Sequence, residues 1–273
     1  MLLTRPGVPA APGLFSRVTK RVRAGNRACM FDLVIDAGIA RLTLDRPEAR
    51  NAIPVAGWDR LAERVAEAAG ARLLMLTGAG SAFCAGADLS EFPALQAEPR
   101  AAAAFRLAMR RGIDAVRDLA IPTVARIDGP CFGAGVALAM ACDIRLAGAG
   151  ARFAITPAKF GISYPQEDVH RLVALVGEGQ AARLLFGAGA IDGAEAERIG
   201  LIERYAAQNL DTESDALTAS ISACHPDSLQ VLKRGLRLAA SGLRSDEAQD
   251  RSFESLLGSD ALAAFLSRRG GRQ

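Results

Sequence analysis

Strands alternating with helices up to about residue 165, then an almost unbroken helical run, predict an α/β core with a helical C-terminal extension. Two further observations place its centre. Two turns rich in glycine and alanine, Gly78–Asp88 (GAGSAFCAGAD) and Gly129–Asp143 (GPCFGAGVALAMACD), each follow a run of β type. At 273 residues, 50% of them hydrophobic, the chain can bury one large core.

Residues 1–29 stand apart. They carry six basic residues (Arg5, Arg17, Lys20, Arg21, Arg23, Arg27), three prolines and no acid. A disordered basic tail, an organelle transit peptide and an extended start ahead of Met30 all fit; disorder is the reading adopted, with folded sequence from Phe31. Phe31–Asp36 and Ile39–Asp45 alternate apolar and polar residues about Ala37-Gly38, a hairpin pattern. Arg46–Asn51 (RPEARN) is a polar loop. Pro54–Ala69 places Val55, Trp58, Leu61, Val65 and Ala68 at helical spacing, and Arg72–Thr77 (RLLMLT) is a buried strand. A helix over Ala101–Leu119 precedes the central strand Ile121–Ile127, which ends at the turn pair Asp128-Gly129. Val136–Cys142 is apolar almost throughout, so this short helix is expected to be buried on every side. Short strands at Ile144–Ala147 and Arg152–Ile155 follow. Helices are expected at Glu167–Val176, Glu178–Leu185, Gly193–Ile199, Asp211–Ala223, Pro226–Ala240 and Ser245–Arg268.

Composition excludes several functions. A net charge of +3 with scattered arginines, two tyrosines and one tryptophan gives no nucleic-acid footprint. Five cysteines (29, 84, 131, 142, 224) without paired spacing fit a reduced, cytoplasmic setting. His170 and His225 are the only histidines, so a His-rich metal site is excluded, and no apolar run reaches the length of a membrane span. Gly133-Ala134-Gly135 lacks the third glycine of a dinucleotide fingerprint, and neither a P-loop lysine nor a G-x-S-x-G elbow is present. A strand, a glycine turn and a helix N-terminus together suit a phosphate, a carboxylate or an oxyanion, because the first-turn N–H groups and the helix dipole both favour negative charge. Two such turns, about 45 residues apart, could converge and each supply one N–H, forming an oxyanion hole for a carbonyl or thioester.

These residues carry a resemblance. Ser81–Leu89 (SAFCAGADL) and Gly133–Asp143 (GAGVALAMACD) are similar to the two signature segments of the enoyl-CoA hydratase/isomerase (crotonase) superfamily. RPEARNAI, IPTVARIDGPCFGAG, FGISY and DALAAFLSRR extend the likeness, in order, over roughly residues 31–268. The resemblance implies a spiral of ββα units over 31–205, a helical region over 206–273 that trimerises, and a homotrimer or dimer of trimers acting on acyl-CoA. It implies no separate cofactor, since coenzyme A is part of the substrate. It places the thioester oxyanion hole at the backbone N–H groups of Ala87 and Ala134. Ala49–Asn51 and Ala85–Leu89, with Ala49, Asn51, Ala85, Asp88 and Leu89 foremost, are expected to line the coenzyme.

The family's hydratases use two glutamates as acid and base, and the matching positions here hold Ala137 and Pro157, neither of which can carry a proton. Phe153–Leu172 (FAITPAKFGISYPQEDVHRL) resembles the methylmalonyl-CoA decarboxylase branch instead. In that chemistry a tyrosine can place the departing carboxylate, and Tyr164 is the candidate. Glu167 and His170 are candidate proton carriers; Glu167 and the adjacent Asp168 are the carboxylates of that stretch, and Glu91 is a further one. Cys84 and Cys131 flank the turns as packing residues. The expected function is a CoA-thioester lyase, decarboxylase-like or a hydratase with relocated acid and base. An enoyl-CoA isomerase and a non-catalytic acyl-CoA-binding protein are the alternatives.

Overall fold

The computed structural model of the protein describes residues 20–22 and 30–270. Lys20–Val22 forms strand β1, antiparallel to β2 (Phe31–Asp36), which turns through Ala37 and Gly38 into β3 (Ile39–Leu44). Both turn residues have positive φ, the geometry a two-residue hairpin requires. Three residues of the segment expected to be disordered thus form an edge strand. The readings of residues 1–19 and 23–29 as tail, transit peptide or extended start lie outside the described residues.

Helix α1 (Gly57–Glu67) leads to β4 (Leu73–Gly78), then to the short helix α2 (Phe92–Ala97) and the long α3 (Pro99–Asp118). Two strand–strand–helix units follow, first β5 (Thr123–Ile127), β6 (Pro130–Phe132) and α4 (Ala134–Ala141), and then β7 (Ile144–Ala147), β8 (Arg152–Ala154) and α5 (Gln166–Gly187). In each repeat the first strand joins a seven-stranded sheet, ordered β1-β2-β3-β4-β5-β7-β10, and the second joins a three-stranded sheet, ordered β6-β8-β9. These are the ββα units expected from the resemblance. The chain completes the sheets with β9 (Ile191–Asp192), α6 (Gly193–Arg198) and β10 (Arg204–Tyr205). Helices α7 (Leu210–Ser222), α8 (Pro226–Ala240), α9 (Glu247–Leu257) and α10 (Asp260–Gly270) form the C-terminal part.

From β3 to β10 the large sheet is parallel, so its strands are covered on both faces and read as apolar runs. Leu73, Leu74, Met75 and Leu76 of β4 are all buried. Helix α4 is buried from Gly135 to Ala141, as its composition predicts, because small residues let neighbouring elements close on every side. Its head is therefore fixed at the centre of the molecule.

Some elements differ from expectation. Strand β6 is three residues long and sits inside the second glycine turn, so no alternation marks it. Helix α2 was hidden between the first glycine turn and Pro99. Ser245–Arg268 divides at Gly258–Ser259 into α9 and α10. Within α5, Gly177 leaves helical geometry (φ 75°, ψ 161°) at the break expected between Val176 and Glu178. Lys233 of α8 reaches into the core, 2.7 Å from Asp143 Oδ2, and donates to the Ile121 carbonyl, so the C-terminal helices are tied to the start of β5.

Candidate active site

The two glycine turns meet. Cys84 and Cys131 form a parallel bridge, the Phe132 N–H donates to the Cys84 carbonyl (2.9 Å), and the Cys84 N–H donates to Pro130 (3.0 Å). Contact this close depends on glycine. A Cβ at Gly135 would stand 2.3 Å from the Cys84 carbonyl oxygen; one at Gly86 would stand 2.7 Å from the Phe132 oxygen and 3.1 Å from the Ala134 nitrogen. Gly86 (φ +99°) and Gly133 (φ +52°) also hold conformations that side chains rarely adopt.

The bond pattern around Ala87 determines where its N–H goes. Ile53 donates to the Gly86 carbonyl (2.8 Å) and accepts from the Asp88 N–H (3.0 Å), so the groups either side of Ala87 are paired on one edge. The Ala87 N–H lies on the opposite edge, as alternation along an extended strand requires. The Ala134 N–H belongs to the first turn of α4, where no intrahelical acceptor exists. Among the described residues neither N–H has a partner. Both residues are half-buried on the wall of one cavity of about 1000 Å³.

The cavity is mainly apolar. Phe92, Leu95, Phe105 and Met109 of α2 and α3 form one side, with the Phe92 and Phe105 rings edge to face at 5.9 Å. The loop before α5 contributes Pro157, Phe160, Ile162 and Tyr164. Ala49, Arg50, Ala85, Asp88 and Leu89 line the part nearest the first turn. Asn51 does not. It is buried, its amide donates to the carbonyls of Ala79 and Ala82 (2.9 and 2.7 Å), and its Oδ1 accepts from the Arg46 N–H. Its place is to bind the RPEARN loop to the first glycine turn.

Tyr164 reaches the start of α4, beside the backbone of Ala137, the first of the two expected glutamate positions. Its hydroxyl donates to the Gly133 carbonyl at 3.0 Å, and burial pushes the phenol well above its usual range. Gly133 C=O and Ala134 N–H are two ends of one peptide unit. Tyr164 therefore fixes the plane of the peptide that carries the second unpaired donor, and its single proton is already engaged there.

The carboxylates sort themselves by partner. Asp88 accepts from the Ser90 N–H and hydroxyl and from Arg46, and these hold it below the usual range. Glu91 lies outside the cavity lining and accepts from the Val55 N–H. Glu167 and His170 are exposed on α5 and also outside the lining. Asp168, between them in sequence, is fully buried and on the cavity wall. Helical spacing explains the difference: the residues one before and two after a buried position on a helix face other directions. Cys84 and Cys131 are buried thiols, Cys84 pushed up to about 12 and Cys131 well above its usual range by desolvation, which suits packing and not nucleophilic attack.

No group of metal-ligating side chains, and no helix long and apolar enough to cross a membrane, occurs among the described residues.

Comparison with known proteins agrees with this architecture. The enoyl-CoA hydratase/isomerase family model matches residues 34–265. The 2,3-dehydroadipyl-CoA hydratase of Escherichia coli is 31% identical, over 84% of this chain and 92% of its own. A Mycobacterium leprae protein assigned as the enoyl-CoA hydratase echA6 is 33% identical over 76% of this chain and 82% of its own. Among solved structures, an enoyl-CoA hydratase/isomerase family protein of Hyphomonas neptunium superposes with a TM-score of 0.82 at 35% identity, covering 88% of this chain and 95% of its own. A Thermobifida fusca protein assigned as an enoyl-CoA hydratase, solved with CoA, gives a TM-score of 0.71 at 31% identity, covering 89% and 95%.

Proposed function

The chain belongs to the enoyl-CoA hydratase/isomerase family, and we propose that within it the protein is a CoA-thioester lyase of decarboxylase type. The observation that carries this reading is the pair of unpaired N–H groups, Ala87 and Ala134, on two touching turns of one apolar cavity. A thioester carbonyl between them gains two hydrogen bonds that strengthen as negative charge moves onto its oxygen.

Decarboxylation asks little more of side chains. When the C2–carboxylate bond breaks, its electron pair enters the thioester as an enolate, CO₂ leaves, and the enolate carbon takes up one proton. Hydration asks for a group that activates water, and Ala137 and Pro157 stand where the family's hydratases have theirs. Ala49, Ala85, Asp88 and Leu89 would bound the coenzyme, and the phenyl-lined side between α2 and α3 would take the acyl group. Exposed apolar residues on α8 to α10, such as Leu236, Phe253 and Phe265, favour assembly into a homotrimer or a dimer of trimers.

Paired substitutions at Ala134 test the donor. Ala134→Gly keeps the N–H and should leave turnover near that of the parent protein. Ala134→Pro removes it at a helical position where proline is tolerated, and should lower kcat by about 10²–10³. Full turnover by a folded proline variant would contradict the assignment.

A further inference from the structure

We infer that Asp168 is the acid of this site, holding at Oδ2 the proton that quenches the enolate. The inference rests on the thioester-lyase reading above. Among the described residues, three carboxylates line the cavity. Glu48 is exposed and lies 3.6 Å from Arg46, and Asp88 is held by Ser90 and Arg46. Asp168 differs from both. Its side chain has no exposed surface, its Oδ1 accepts from Arg110 (3.0 Å) and Arg171 (3.3 Å), and its Oδ2 has no hydrogen-bond partner.

A buried carboxylate oxygen without a donor is costly, and a carboxylic acid meets the same surroundings better. With the proton on Oδ2, Oδ1 becomes a carbonyl anchored by two guanidinium groups, and the O–H, on a residue of the cavity lining, has no acceptor among the described residues. The charges around it set its strength. Arg110 and Asp114 face it from α3, Arg171 and Glu167 belong to its own helix, and Tyr164 adjoins it from the preceding loop. Desolvation outweighs the two arginines and raises Asp168 above the ordinary carboxyl range. The family positions at Ala137 and Pro157 supply no proton, so this is the one carboxylate of the lining free to do so.

The proposed cycle balances. A 2-carboxyacyl thioester loses CO₂ and leaves its electron pair on the enolate; Asp168 Oδ2–H gives its proton to C2; solvent then returns a proton to the carboxylate. The net reaction consumes one proton and yields CO₂ and the shortened thioester. A fixed acid delivers its proton to one face of the enolate, whereas water reaches both.

The test is decarboxylation of methylmalonyl-CoA in D₂O, with the configuration of the deuterated propionyl-CoA as readout. The protein should give one configuration. Asp168→Asn should give a mixture, with CO₂ release reduced less than about tenfold and C2 hydrogen exchange of propionyl-CoA reduced by about 10²–10⁴-fold. If Asp168→Asn fails to fold beside Arg110, Asp168→Glu keeps the carboxyl group and displaces its proton by one methylene; the same loss of configuration is expected. A folded variant of either kind with unchanged rate and configuration overturns the acid and leaves the lyase reading standing. No CO₂ release from any 2-carboxyacyl thioester by the unsubstituted protein overturns both.

Discussion

Tyr164 illustrates how a residue's role is decided by a single bond. The resemblance to decarboxylases suggests that its hydroxyl holds the departing carboxylate, but that hydroxyl donates to Gly133. Acting through the Gly133–Ala134 peptide, it should assist every reaction that relies on the Ala134 N–H. Tyr164→Phe removes one net hydrogen bond, about 0.5–1.5 kcal/mol, or roughly a 2- to 12-fold fall in kcat with little change in KM. The decisive comparison is C2 hydrogen exchange in a saturated acyl-CoA, whose acyl group has no carboxylate to lose. Exchange and decarboxylation should slow alike. Slowing of decarboxylation alone would return Tyr164 to the carboxylate. The sequence marked this tyrosine but could not reveal its partner, because Gly133 lies 31 residues away. The same limit applies to Asn51 and Asp168: residue type was legible, and the direction of the side chain was not.

At the scale of elements, the two glycine turns and the buried helix were legible because each has a local cause. Positive φ favours glycine, close backbone contact requires it, and a helix with no polar face must be enclosed. Strand β6 and helix α2 were not, since three or six residues carry too little periodicity and their existence depends on partners distant in sequence. The junction between the turns yields a prediction of its own. Gly135→Ala would place a methyl group 2.3 Å from the Cys84 carbonyl, where backbone on both sides resists displacement. A loss of about 1–3 kcal/mol is expected, read as a fall of roughly 2–4 °C in Tm per kcal/mol, with kcat reduced because the two N–H groups separate. An unchanged Tm together with unchanged turnover would mean that the turns do not depend on this contact.

For the molecule as a whole, the alternation of strands and helices sufficed for the class of fold, and the ordered segments from RPEARNAI to DALAAFLSRR sufficed for the family. Family membership alone does not select a reaction. The reaction follows from the site: two backbone donors, an anchored tyrosine and one buried carboxyl group line the cavity, Pro157 stands on its wall at one water-activating position, and Ala137, at the other, is buried in α4. The most direct measurement sets two substrates side by side under the same conditions. Methylmalonyl-CoA should lose CO₂ at a measurable rate while crotonyl-CoA gains little or no water. Robust hydration of crotonyl-CoA with no CO₂ release from methylmalonyl-CoA would contradict the account and return the protein to its relatives' hydratase chemistry.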